Sequence, residues 1–239
     1  MTTPRLLIVT AVEPEAQAVR AGLSASGIEP VTAASQVGRT GAAIFAVAAV
    51  GVGPAAAAAG TARLLALAEA RGEPCTAVIS TGIAGGFAGR AAVGGTVLGV
   101  RSLAADLGAE TPTQDPSSHA FLPIEELGFG TSVIAADPDL LDAVTSALPE
   151  AIRGDILTLA TVTGTAGTTA RLEAQYPHAV AEAMEGFGVA SAARALGLPF
   201  LELRAISNPI GPRDRASWRL QEAFGALTGG WQRAGKVLH

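Results

Sequence analysis

Cysteine is almost missing from this sequence. Cys75 stands alone among 239 residues, so no disulfide can form within the chain and a thiolate cage for a metal is excluded. Histidine offers no substitute, because His119, His178 and His239 are too scattered to make a local ligand pair. Basic charge is scarce as well: Lys236 is the only lysine and the formal net charge is −5, whereas a nucleic-acid binder would show a basic face. No uninterrupted apolar run reaches the ~20 residues that a membrane-spanning helix requires. The start, Met1 to Arg5, leads directly into a strand without the apolar core of a secretion signal. The expected location is the cytoplasm. Aromatic residues make up only 4% of the chain, so the core must be packed with Ala, Val, Leu and Ile.

What is present describes a globular chain. Hydrophobic residues make up 49% and charged residues 15%, a balance that supports a substantial core. No repeat, linker or shift in composition marks a boundary, so residues 1–239 read as a single domain. Short apolar runs at Leu6–Thr10, Ala42–Val50, Ala77–Ser80, Thr96–Val100, Ile156–Val162 and Phe200–Ile206 predict buried strands. Between them, helices are predicted from Pro14, through the Ala-rich stretch to Arg71, at Pro138–Leu148, Thr169–Tyr176 and Gly186–Leu196, and over Gln221–Val237. Asp106–Gly130 holds three prolines and the polar run Thr113–Ser118, which predicts a long loop or flap. Strands alternating with helices at this spacing give an α/β fold with helices on both faces of a central sheet.

Five segments carry the chemistry. Gly51-Val52-Gly53-Pro54 fits a loose dinucleotide fingerprint, yet the next strand ends in Ser80-Thr81-Gly82 without the acid that would hold the ribose. A tight turn that brings N–H groups to a pocket fits better. Thr81-Gly82-Ile83-Ala84-Gly85-Gly86 reads as a glycine-rich turn allowing close backbone approach to a small polar ligand, and no nearby lysine makes it a phosphate loop. Glu13 and Glu15 flank Pro14 at a helix start, where acids also complement the helix dipole. Glu185, between Met184 and Gly186, is a carboxylate in apolar surroundings, and such groups are rarely buried without a use. Asn208 ends the apolar run Arg204-Ala205-Ile206-Ser207; its amide can donate one hydrogen bond and accept another at adjacent points.

In that order, Ala11–Glu15, Gly51–Gly53, Thr81–Gly86, Ala183–Glu185 and Arg204–Asn208 resemble the nucleoside phosphorylase/nucleosidase superfamily along essentially the whole chain. The resemblance implies a three-layer αβα sandwich around a mixed, partly closed central sheet. It also implies cleavage of an N-glycosidic bond without metal or organic cofactor, and a homo-oligomer. Its catalytic residues would be Glu15, activating water, Arg204, orienting the site, and Asn208, holding the leaving base. Glu185 would take the ribose hydroxyls and Met184 would lie beneath the sugar, with Gly85 and Thr163 also lining the substrate site. Phe187, or else Phe121, would stack on the base, because the family's usual stacking position is Gly167 here.

Two positions sort the superfamily. Phosphorylases hold phosphate with arginine near the first strand, where this chain has Glu13 and Glu15, a pair that repels phosphate and suits water. Adenine nucleosidases carry Asp where Asn208 stands. An amide can donate to O6 of a keto purine while accepting from a protonated N7, so Asn208 points to a 6-oxopurine nucleoside. Thr161–Thr165 and Ser207–Gly211 are similar to the futalosine hydrolase subfamily, which implies release of hypoxanthine. Arg101, Arg213 and Arg215 are candidates for a carboxylate on that substrate. An adenine nucleosidase, a phosphate-dependent phosphorylase and a non-catalytic nucleoside-binding protein stay open as alternatives.

Overall fold

The computed structural model describes residues 3–33, 43–112 and 119–238. In chain order its elements are β1 (Arg5–Thr10), α1 (Glu13–Ala25), β2 (Val31–Thr32), β3 (Ile44–Ala49), α2 (Pro54–Ala70) and β4 (Ala77–Gly86). Then come β5 (Thr96–Ala104), β6 (Gly108–Pro112), β7 (His119–Pro123), β8 (Val133–Ala135), α3 (Pro138–Ala147) and β9 (Ile152–Thr158). The chain continues through α4 (Ala166–Gln175), β10 (Ala179–Ala183), α5 (Gly186–Ala195), β11 (Phe200–Pro209) and α6 (Leu220–Ala234).

The main sheet runs β10-β9-β5-β11-β4-β1-β3-β2, and an extra pairing of β10 with β4 closes its first five strands into a ring. It is mixed: β11 runs parallel to β4 and antiparallel to β5. The fold is thus the α/β sandwich around a mixed, partly closed sheet that the resemblance implied.

Each face of the sheet is covered by helices. On one, Ala16, Val19 and Leu23 of α1, Val144 of α3 and Leu227, Trp231 and Ala234 of α6 pack on Ile8, Val47, Ile79 and Leu203. On the other, Ala57, Leu65 and Ala68 of α2 and Val189, Ala190 and Ala193 of α5 pack on Leu7, Val9, Ala46 and Val78. With so few aromatics, small residues set the spacing. A Cβ at Gly188 would lie 2.2 Å from the Pro54 carbonyl, so α2 and α5 approach closely only because residue 188 is glycine. The largest fully buried side chain among the described residues is Trp231, whose Nε1–H donates to Thr81 Oγ1 at 3.0 Å.

Four expectations change. Thr81–Gly86 is not a turn; it continues β4, pairing residue by residue with β11 as far as Gly86↔Pro209. The expected loop at 106–130 contains a hairpin, β6 against β7 with Gly108 opposite Pro123; the run Thr113–Ser118 lies outside the described residues, as does Ala42 at the start of the second predicted strand. β9 begins four residues early and stops at Thr158, where its partners β5 and β10 also end. Residues 159–165 are thereby released as a connection to α4, whose start moves forward because the Thr165 side chain caps it, accepting from Thr168 N–H at 3.1 Å. No helix among the described residues is long and apolar enough to cross a membrane.

Candidate active site

β4 is the spine of the site. Arg204 lies opposite Gly82 and Asn208 opposite Gly85 on the β11 side, while Glu182 of β10 lies opposite Gly85 on the other. Three residues of strand separate the two ends, about 10 Å.

The Gly82 end gathers charge. Glu15, in the first turn of α1, bends back so that Oε2 accepts from the Ala11 and Val12 N–H groups at 3.0 and 3.2 Å, while Oε1 accepts from Ile83 N–H at 2.9 Å. Three backbone donors thus fix a carboxylate that is 3% exposed. A Cβ on Gly82 would fall 2.5 Å from Glu15 Oε1 and 2.9 Å from Arg204 Nη1, so glycine is what lets these side chains converge over the strand. Glu185, at the corner between β10 and α5, accepts from Gly53 N–H at 3.0 Å and places Oε2 3.7 Å from Arg204 Nη1. The Gly51–Gly53 turn therefore does deliver an N–H, to a carboxylate of the site.

Arg204 is the hub. Its Nε donates to Glu202 Oε1 at 2.9 Å and its Nη2 to Ser80 Oγ at 3.0 Å. Burial pulls its pKa down, but the charges of Glu202, Glu185 and Glu15 outweigh that and raise it. Three carboxyls therefore surround one guanidinium. Full ionisation would leave excess negative charge in a dry interior, which is costly. Burial accordingly raises the pKa of both Glu15 and Glu202, against the opposing pull of Arg204.

At the Gly85 end, Ser207 is an extra residue in β11, because the register steps from Ile206↔Ala84 to Asn208↔Gly85. Such a bulge re-aims the following side chain. The Asn208 Oδ1 lies 2.8 Å from Ser207 Oγ and its Nδ2 donates to the Pro209 carbonyl at 2.9 Å. An amide has a second hydrogen and a second lone pair, so Asn208 keeps one donor and one acceptor site for a ligand. Thr163 sits at this end too, with its N–H donating to Glu182 Oε1 at 2.8 Å and its hydroxyl bonded to Glu182 Oε2.

The structure brings Glu15, Arg204 and Glu185 together, and likewise Asn208, Gly85 and Thr163. Met184, next to Glu185 in the chain, is half-buried. Phe187 is not brought there; its ring packs on the α2–α5 cluster and lines a groove with Thr131 and Ser191. Phe121 packs on Gly108 within the β6–β7 hairpin. Arg101 is held by Asp155 in a two-point pair at 2.8 and 2.5 Å. Sequence reasoning missed Glu202 and Glu182. Each is a lone acid in an apolar strand, Leu201-Glu202-Leu203 and Ala181-Glu182-Ala183, and that isolation was the signal available.

A family model described as the phosphorylase superfamily matches residues 5–233. The chain belongs to that superfamily. Among its relatives, the futalosine hydrolase of Streptomyces coelicolor is 47% identical over 98% of this chain and 96% of its own length. The futalosine hydrolase of Acidothermus cellulolyticus is 43% identical over 94% of this chain and 91% of its own. The fold recurs in the 5′-methylthioadenosine/S-adenosylhomocysteine nucleosidase of Neisseria meningitidis, with a TM-score of 0.78 at 21% identity over 98% of this chain and 99% of that one. It recurs also in the futalosine hydrolase of Helicobacter pylori, with a TM-score of 0.66 at 18% identity, covering 99% of this chain and 96% of that one.

Proposed function

We propose that this chain, a nucleosidase by its kinship, hydrolyses the N-glycosidic bond of futalosine, releasing hypoxanthine and dehypoxanthinyl futalosine in menaquinone biosynthesis. The observation that carries the reading is the Asn208 amide on β11, one end of a strand whose other end presents Arg204 to Glu15 and Glu185.

Glu15 takes a proton from water as the water oxygen bonds to C1′. Arg204 steadies Glu15 and Glu185, and Glu185 accepts from the ribose hydroxyls as positive charge develops on the sugar. Met184 packs beneath the sugar. Asn208 donates to O6 and accepts at N7 of the departing base; a mismatched donor or acceptor at such a site can discriminate by ~10⁴. Hydrolysis fits better than phosphorolysis because Arg20, the arginine of α1, is turned to Glu13 at 2.6 Å.

We place the enzyme in the cytoplasm as a homo-oligomer. Val12, Val52 and Val162, exposed on the three segments around the site, offer apolar surface that a second copy would cover.

The test is incubation with futalosine, inosine and 5′-methylthioadenosine, with and without phosphate. Hypoxanthine release from futalosine without phosphate is expected. Preferential adenine release would favour an adenine nucleosidase, a phosphate requirement a phosphorylase, and binding without turnover a nucleoside-binding protein.

A further inference from the structure

The reading above leaves the departing base without a proton donor, since the Asn208 amide is not an acid and Glu15 begins the step ionised. We propose that Glu182 and Thr163 form a proton relay to the leaving base. The inference rests on the 6-oxopurine reading and deepens it.

Its basis is placement. Glu182 and Asn208 flank the same residue, Gly85, on neighbouring strands, so the carboxyl stands at the base end of the site and not at the sugar end. Gly85 itself contributes no side chain between them; a Cβ there would lie 2.8 Å from the Ile210 Cγ2 methyl and 3.4 Å from Asn208 Nδ2. Both Glu182 oxygens are directed to Thr163, which is 7% exposed against 4% for Glu182. Nothing in the mechanism so far uses this buried carboxyl.

Both Thr163 groups donate to Glu182 in this structure, and the neutral acid keeps the same two contacts with the hydroxyl one reversed. Oε1, as the carbonyl oxygen, accepts from Thr163 N–H, and Oε2–H can donate to Thr163 Oγ1, leaving the threonine's own proton to face the base. Burial raises the Glu182 pKa, and only the two Thr163 bonds oppose that. Among the described residues, charged groups on adjoining segments include Arg213, which reaches Gly164 through its backbone N–H at 3.1 Å, and Asp106, which accepts from Ala160 N–H at 3.1 Å. Both side chains are exposed to solvent.

In the step itself the C1′–N9 bond breaks and its electron pair goes to the base. N7 takes the Thr163 hydroxyl proton, Thr163 takes the Glu182 proton, and Glu182 is left as carboxylate; Asn208 Oδ1 accepts at N7 only after this transfer, sharing the new N7–H with Thr163 Oγ1. Glu15 meanwhile holds the proton lost by water. Exchange with solvent moves one proton off Glu15 and one onto Glu182 to complete the cycle. Within the relay Thr163 touches the base and Glu182 acts through it.

The experiment compares wild type, Glu182→Gln and Thr163→Val on futalosine and on 4-nitrophenyl riboside, whose phenolate leaves without protonation. Each variant is expected to lose ~10² or more in kcat on futalosine, to keep the wild-type rate on the nitrophenyl substrate, and to lose the alkaline limb of the kcat–pH profile. The double variant should be no slower than either single one. Equal losses on both substrates would show a structural role and overturn the relay, as would an unchanged futalosine rate or pH profile. Wild-type enzyme that released no hypoxanthine would overturn the substrate reading, and the relay with it; intact wild-type release with insensitive variants overturns the relay alone.

Discussion

Glu202 and Arg204 stand two residues apart on one strand and are joined by a hydrogen bond of 2.9 Å between Oε1 and Nε. Alternation along β11 puts both side chains on the same face, and both are essentially inaccessible. The bond uses the inner edge of the guanidinium and turns Nη1 outward to Glu185 and Glu15. A Cβ on Gly186 would fall 2.2 Å from either Glu202 carboxyl oxygen, so the start of α5 is moulded onto this pair.

Glu202 is therefore a positioning residue. Glu202→Leu leaves Nε without its acceptor and lets Arg204 swing, which should lower kcat by ~10² with little change in KM, the scale that a displacement of about 1 Å costs. Glu202→Gln keeps an acceptor oxygen and should recover most of that loss. Steady-state kinetics of the two variants decide it; a fully active Leu variant would show that Arg204 holds its place unaided.

In the proposed mechanism Asn208 selects the base. Asn208→Asp replaces a donor to O6 with a carboxyl that suits the amino group of adenine, so hypoxanthine release should fall and adenine release from 5′-methylthioadenosine should rise. The ratio of the two kcat/KM values is the measurement. An unchanged ratio would mean that selectivity lies elsewhere.

Glu15 links activity to stability. Its pKa is raised, chiefly by burial, so the folded state holds the proton to higher pH than the unfolded chain does. The resulting stabilisation is complete below the ordinary carboxyl pKa of 4.5 and is lost as pH rises through the folded value. Glu15→Gln cannot lose it. Unfolding midpoints of the variant relative to wild type should therefore climb as pH rises above 4.5 and through the raised folded value, while its kcat stays at least ~10² lower. A difference in midpoint that stayed flat with pH would contradict the shift.

Trp231 carries a disproportionate share of an aromatic-poor core. Trp231→Ala should cost about 3–5 kcal/mol, and Trp231→Phe, which mainly gives up the bond to Thr81, about 1 kcal/mol. Denaturant unfolding measures both, and a small loss for Ala would mean that α1 and α6 close over the gap.

Much of this molecule was legible as text. Leu6–Thr10 and Phe200–Ile206 are short apolar runs whose only stable home is a sheet buried on both faces, so strands at those places, and the α/β class, follow from solvent exclusion alone. Glu185 and Asn208 stood out as polar groups set against apolar runs, whereas Glu15 and Arg204 took their roles from the resemblance of five ordered segments. What the text could not supply was distance. Whether Thr81–Gly86 turned or ran on depended on β11 lying alongside it, and whether Phe187 faced the sugar or the α2–α5 layer depended on how α5 rolled against α2. Glu202 and Glu182 became meaningful only once strands remote in sequence were side by side, because a buried carboxyl draws its role from the donors that folding brings to it. Local chemistry fixed which elements form and which residues are reactive; long-range pairing alone decided which of them meet.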